Sequence, residues 1–191
     1  MRRLIRAKSI AFVLSLASPC VAMASEVQTD VVQMASGERA VVVKTSLAAP
    51  PATIWRFFST EAGLRCWAAP VVKLDLRSGG SLQTNYDKSA HIGDPGTISL
   101  RILNYFDAEF ITYKVKLNDA FPAQLQNHDD NLQEVVRLQR LPDGGTQLVS
   151  SMVGWGSGAD WDKAVAFFAK GNEWSYRNLV KCAEALPPGS S

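Results

Sequence analysis

Two hydrophobic rhythms alternate along this chain and divide it into elements. Val31 to Met34 and Ala40 to Leu47, separated by the turn Ala35-Ser36-Gly37, read as two strands, and Val41, Val43, Thr45 and Leu47 fall on one side of the second. The helical rhythm follows. Pro50-Pro51 opens a helix, because proline is tolerated in a first turn, and Ile54, Trp55, Phe57 and Phe58 give it an apolar face. Thr60 suits the N-cap of a second short helix running to about Trp67, with Glu61 favourable in its first turn and Gly63 a weak point.

Beyond Pro70 the period returns to two. Val72, Leu74 and Leu76 alternate with Lys73, Asp75 and Arg77, predicting a half-buried strand with Asp75 and Arg77 as a surface pair. Ser78-Gly79-Gly80 is a turn, and Leu82, Thr84 and Tyr86 carry the next strand. Polar Lys88 to Pro95 is a loop, followed by strands over Thr97 to Tyr105 and Phe110 to Leu117. Asn118 to Asn131 has no period and reads as a long, exposed loop, a kind of segment that is often functional. A final hairpin, Leu132 to Leu141 and Thr146 to Val153, turns at Pro142-Asp143-Gly144-Gly145. After Gly154 to Gly158, Asp160 is placed to cap a helix from Trp161 to about Leu186, which Pro187-Pro188 end. Helices segregated from an antiparallel sheet define an α+β domain.

The last helix is the most informative. At about 100° per residue, Trp161, Val165, Phe168, Asn172, Ser175, Tyr176, Leu179, Ala183 and Leu186 share one stripe. Its middle is polar, at Asn172 and Ser175. Buried polar atoms need partners, so either the core satisfies these two or the stripe faces a cavity. Phe167 and Trp174 lie on another face, which predicts a second contact or a bend near Gly171.

Composition narrows the class. The chain has 191 residues, 47% hydrophobic and 20% charged, which suits one globular domain and excludes a disordered chain. Its first residues set the compartment. Arg2, Arg3, Arg6 and Lys8 precede an apolar run from Ile10 to Ala17, and Ala22-Met23-Ala24 offers a signal-peptidase site. The expectation is a secretory signal over residues 1–24, cleaved after Ala24, and a single domain over residues 25–191. The run is too short for a membrane span, which takes about 20 residues, so no stable insertion is expected. Cleavage removes four positive charges and takes the formal net charge from +2 to −2. A protein exported to the periplasm or medium, without a basic excess, is not expected to bind nucleic acid.

Export also bears on the cysteines. Cys20 leaves with the signal, while Cys66 and Cys182 stay, either bridged or as two separate buried thiols. The only histidines, His91 and His128, sit in polar loops, so no metal site is expected. No nucleophile elbow, phosphate loop or C-x-x-C appears, and no catalytic residue or cofactor is assigned.

Several short motifs recur in a telling order: Ala48-Ala49-Pro50 with Ile54-Trp55, Glu61-Ala62-Gly63-Leu64 with Trp67, and Leu74 to Gly80 with Tyr86. Gly144-Gly145-Thr146, Gly154-Trp155, Trp161-Asp162 and the Phe167 to Leu179 stretch containing Trp174 complete them. From about Val41 to Ala185 this resembles the START-like (SRPBCC) superfamily, in the branch of the C-terminal domain of the activator of Hsp90 ATPase. The resemblance implies a helix-grip fold: a curved antiparallel sheet of about six or seven strands wrapped on the long C-terminal helix, with two short helices after the first core strand. In that fold the short helices support the end of the long one, which brings Cys66 and Cys182 within reach as a candidate disulfide.

Such folds host carriers, cyclases and co-chaperones, so the resemblance leaves function open. A co-chaperone role fits an exported chain least. The expectation is a binding module taking a small apolar or amphipathic molecule between sheet and helix. Its candidate ligand-binding residues are Trp67, Tyr86, Tyr113, Trp155, Phe168, Asn172, Ser175 and Tyr176, with Trp67 and Trp155 framing the mouth. The alternatives are a cyclase- or dehydratase-like enzyme moving a proton with a pocket carboxylate or tyrosine, and a protein-interaction module, its partner unspecified, using the loop from Asn118 to Asn131.

Overall fold

Eight strands pair antiparallel in one sheet: β1 (Gln28–Gln33), β2 (Arg39–Leu47), β3 (Val71–Leu74), β4 (Ser81–Asn85), β5 (Ile98–Phe106), β6 (Phe110–Lys114), β7 (Gln133–Arg140) and β8 (Thr146–Val153). Their order across the sheet is β1-β2-β8-β7-β6-β5-β4-β3. The computed structural model describes residues 25–187, so the expected signal over residues 1–24, Cys20 and Pro188 lie outside the described residues. Two short helices, α1 (Pro51–Ser59) and α2 (Glu61–Trp67), carry the chain from β2 to β3 at the far edge. The curved sheet then holds the long helix α4 (Ala159–Glu184), which is the helix-grip architecture. The strand count is eight because β1 extends the β2 edge, pairing Gln28 with Lys44 through to Gln33 with Arg39.

Local chemistry explains most boundaries. The Thr60 hydroxyl accepts the Gly63 amide at 3.0 Å, capping α2 as its sequence predicts. Gly63 is required by packing: a Cβ there would lie 2.2 Å from the Arg56 carbonyl oxygen and 2.7 Å from the Phe57 Cα. The glycine that weakens the helix in sequence is what lets α1 and α2 meet.

Four expectations need correction. The third strand ends at Leu74 rather than Arg77, because the chain turns, with the Gly80 amide donating to the Arg77 carbonyl at 2.8 Å. Asp75 and Arg77 still pair, at 2.9 Å on the surface, but in this turn. The residue capping α4 is Gly158, and Asp160 lies inside the first turn, where its charge suits the helix dipole. The sixth strand stops at Lys114, although the Val115 amide still reaches the Leu132 carbonyl at 3.0 Å.

The fourth correction concerns Asn118 to Asn131, which is not a freely exposed loop. It contains a four-residue helix, α3 (Ala123–Gln126), and buries Leu125 and Asp129. The Asp129 carboxylate accepts the Leu117 amide at 2.8 Å and the Lys116 ammonium at 2.7 Å. No helix among the described residues is long and apolar enough to cross a membrane.

The core has two parts. One gathers α1, α2 and the C-terminal half of α4 around Ile54, Phe58, Leu64, Tyr176 and Leu179. The other packs Trp161 and Val165 of α4 against Val41, Leu132, Met152 and Trp155. The stripe on α4 is buried at Trp161 and Val165 and again at Tyr176 and Leu179, and only half-buried between, at Phe168, Asn172 and Ser175.

Candidate functional site

Under that middle stretch, sheet and helix part around a cavity of about 440 Å³. Its walls are chiefly apolar, including Phe58, Leu82, Leu100, Val115, Val136 and Phe168. The polar groups enter at defined positions of the strands.

Side chains alternate along a strand, so the inward phase of β6 reads Ile111, Tyr113 and, just past its end, Val115. On β7 the same phase is Leu132, Glu134, Val136 and Leu138, and on β8 it is Leu148, Ser150 and Met152. Tyr113 and Glu134 are direct partners across the β6–β7 ladder, and Ser150 stands opposite Val136 on β8. One tyrosine, one glutamate and one serine thus replace apolar residues at neighbouring inward positions.

The glutamate is the hub. Its Oε1 accepts the Ser150 hydroxyl at 2.6 Å and, from α4, the Tyr176 hydroxyl at 3.0 Å. The residue is half-buried, and its side chain borders the cavity. That burial raises its pKa above the ordinary glutamate value, against the opposing pull of the two hydroxyl donors. The neighbouring phenols respond alike. Burial first, and the Glu134 charge second, push Tyr113 and Tyr176 well above the ordinary tyrosine value. Tyr86 is raised by the buried part of its side chain, against the opposing pull of Ser175. Two polar atoms on the cavity wall are enclosed without a partner: the Tyr113 hydroxyl and the Asn172 Nδ2.

Seven of the eight candidate ligand-binding residues line this cavity: Trp67, Tyr86, Tyr113, Phe168, Asn172, Ser175 and Tyr176. Trp155 does not. It is buried in the second core, donates its indole hydrogen to the Met152 carbonyl at 2.8 Å, and backs Phe168 with ring centroids 5.4 Å apart. Its place beside the helix start suggests a mouth residue, but the chain turns it inward.

Trp67 is a half-buried part of the wall. Its indole donates to the Phe57 carbonyl at 2.9 Å, and its ring packs on Tyr176 at the inner end. The exposed aromatic residues among the lining are Tyr86, Phe167 and Trp174, each more than half exposed. The second face of α4 therefore forms the rim, and α4 runs as one helix through Gly171. Asn118, Ala120 and Phe121 close the wall beside it, with Phe121 stacked on Phe168 at 5.5 Å.

Sequence reasoning missed Glu134. The available signal was an acidic residue on the apolar phase of an alternating strand, between Leu132 and Val136. The histidines take no part in this wall. His91 is exposed beside Asp94, and His128 meets the Gln124 carbonyl at 2.8 Å. Below the cavity, a disulfide joins Cys66 of α2 to Cys182 of α4, with Cα atoms 6.2 Å apart.

Comparison with known proteins gives the fold its relatives. No curated protein matches the chain by sequence. A solution structure of the Aha1 dimer from Colwellia psychrerythraea superposes with TM-score 0.59 at 14% identity, covering 80% of this chain and 98% of that one. Protein MLL2253 from Mesorhizobium loti gives 0.60 at 19% identity, covering 78% and 99%. CalU16 from Micromonospora echinospora gives 0.59 at 18% identity, covering 87% and 88%. At these identities the likeness establishes the fold. Residues 48–184, from the end of β2 to the end of α4, match a family directly, and the chain belongs to the family described as Activator of Hsp90 ATPase homolog 1-like protein.

Proposed function

We propose that this protein is an exported binding module that takes a small, largely apolar molecule in the cavity between sheet and α4. The observation that carries the reading is the cavity itself: about 440 Å³ of space beneath a helix whose stripe is buried on either side of it. That volume falls in the range of small-molecule sites, and an apolar wall with few, convergent polar groups is their usual composition. Burial of the guest at about 25 cal/mol per Å² would supply affinity, and the polar groups would fix orientation. Export rests on the basic and apolar leader, and the Cys66–Cys182 bond is in keeping with an oxidising compartment.

Native mass spectrometry of the protein purified from an exporting host tests this. A bound small molecule is expected in the wild type, and its loss in Leu100→Trp, which fills the cavity from β5. A wild-type protein that carries no guest and takes up no apolar fluorescent probe overturns the reading.

Glu134 favours a second reading, an enzyme of the cyclase or dehydratase type. A half-buried carboxyl with a raised pKa, bordering an apolar cavity, is suited to general acid–base work. Turnover of the extracted guest, lost in Glu134→Gln, would separate it from a carrier.

A further inference from the structure

We propose that Tyr113, Asn172 and Glu134 form a seat for one neutral acceptor oxygen, a carbonyl or hydroxyl of an otherwise apolar guest. The proposal rests on the cavity being a ligand site and adds what its occupant must carry.

The argument is an inventory of donors and acceptors. Tyr113 is 3% exposed, lines the cavity, and its hydroxyl has no partner. The Asn172 Nδ2 is a donor in the same condition, one helical turn before Tyr176 on the same face of α4. On Glu134, Ser150 and Tyr176 both donate to Oε1, and Oε2 receives no hydrogen bond. When the carboxyl is protonated, the form that its burial favours, Oε2 adds a donor beside these two. A buried donor left unmade is costly, and the two lone pairs of one guest oxygen match the two enclosed donors of Tyr113 and Asn172.

The surrounding charges point the same way. Facing Glu134 are Tyr113 from β6, Ser150 from β8, Tyr176 from α4 and, more distantly, Tyr86 beyond β4. None is a cation. Lys116 lines the cavity, but its ammonium is held by the Asp129 carboxylate at 2.7 Å and the Gln126 carbonyl at 2.8 Å. A carboxylate guest would therefore meet an acid and no free cation, and an ammonium guest would leave the Asn172 donor unmatched.

Four matched probes test the seat on the purified protein by calorimetry: 2-acetylnaphthalene, 2-ethylnaphthalene, 2-naphthoate and 2-naphthylmethylamine. The ketone should bind about 3- to 10-fold more tightly than the ethyl compound, as expected for a neutral hydrogen bond, and the anion and cation more weakly than the ketone. Tyr113→Phe and Asn172→Leu should each reduce the ratio of ketone to ethylnaphthalene affinity, a change in relative affinity that general misfolding does not produce. Ketone affinity should fall as pH rises through the elevated Glu134 pKa, and Glu134→Gln should flatten that dependence. If ethylnaphthalene binds as well as the ketone, or the amine binds tightest, the seat is refuted while the cavity reading stands. A ketone preference that survives both single substitutions also refutes it. If none of the four binds, the seat and the cavity reading fall together.

Discussion

Tyr176, on the gripped helix, donates its phenolic hydrogen to Glu134, on the sheet, at 3.0 Å, so one polar bond crosses between the two layers beside the cavity. Its acceptor is a carboxyl group whose pKa is raised by burial. A raised carboxyl pKa in the folded state means that the native protein holds this proton more firmly than the unfolded chain. The resulting stability is fully present below the unfolded value and is lost as pH rises through the folded one. Denaturant titrations should therefore show a decline over that window, upward from the ordinary glutamate value. Glu134→Gln should remove this component of the decline, and an unchanged pH profile would contradict the assignment.

The Cys66–Cys182 bond joins residues 116 apart, fastening α2 to the end of α4. Closing so long a loop is worth about 2–5 kcal/mol in the unfolded-chain account. Cys66→Ser with Cys182→Ser should lower unfolding stability by that order in urea. Because Cys66 is exposed, a strong reductant should reproduce the loss in the wild type. Equal midpoints with and without reductant would show that the bond contributes little.

Gly171 lies in the interior of α4 at the cavity rim, and a Cβ there meets nothing within 4 Å. Glycine costs a helix interior about 0.5–1 kcal/mol relative to alanine. Gly171→Ala should raise stability by that amount without displacing the probes used above. A destabilised variant would mean that the open space at this position serves a contact made by the guest or a partner.

How much of this was legible beforehand depended on whether periodicity carried the signal. The alternation Val41, Val43, Thr45, Leu47 gave β2, and the stripe from Trp161 to Leu186 gave α4 together with its polar middle. Periodicity is silent on what fills the space opposite, so whether Asn172 and Ser175 faced core or cavity needed the sheet's curvature. Glu134 is hard to see in the sequence because alternation identifies a strand without saying which phase turns inward. α3 has four residues, about one helical turn, too short for any repeat to appear. Trp155 was misplaced because nearness to a junction along the chain does not fix which way a ring turns.

The segment covering the cavity is fastened unequally at its two ends. At one end Asp129, fully buried, is tied to the Leu117 amide and to Lys116. At the other, Phe121 lies nearly flat on Phe168, with rings inclined by 12°. Phe121 also meets Phe167 edge-on at 5.5 Å, and each aromatic pair is worth about 0.5–1.5 kcal/mol beyond its buried area, whereas a buried polar group that loses its hydrogen bonds costs about 1–3 kcal/mol and more when charged. The cover thus has a polar root at Asp129 and an aromatic latch at Phe121, and the two ends respond to different changes of solvent.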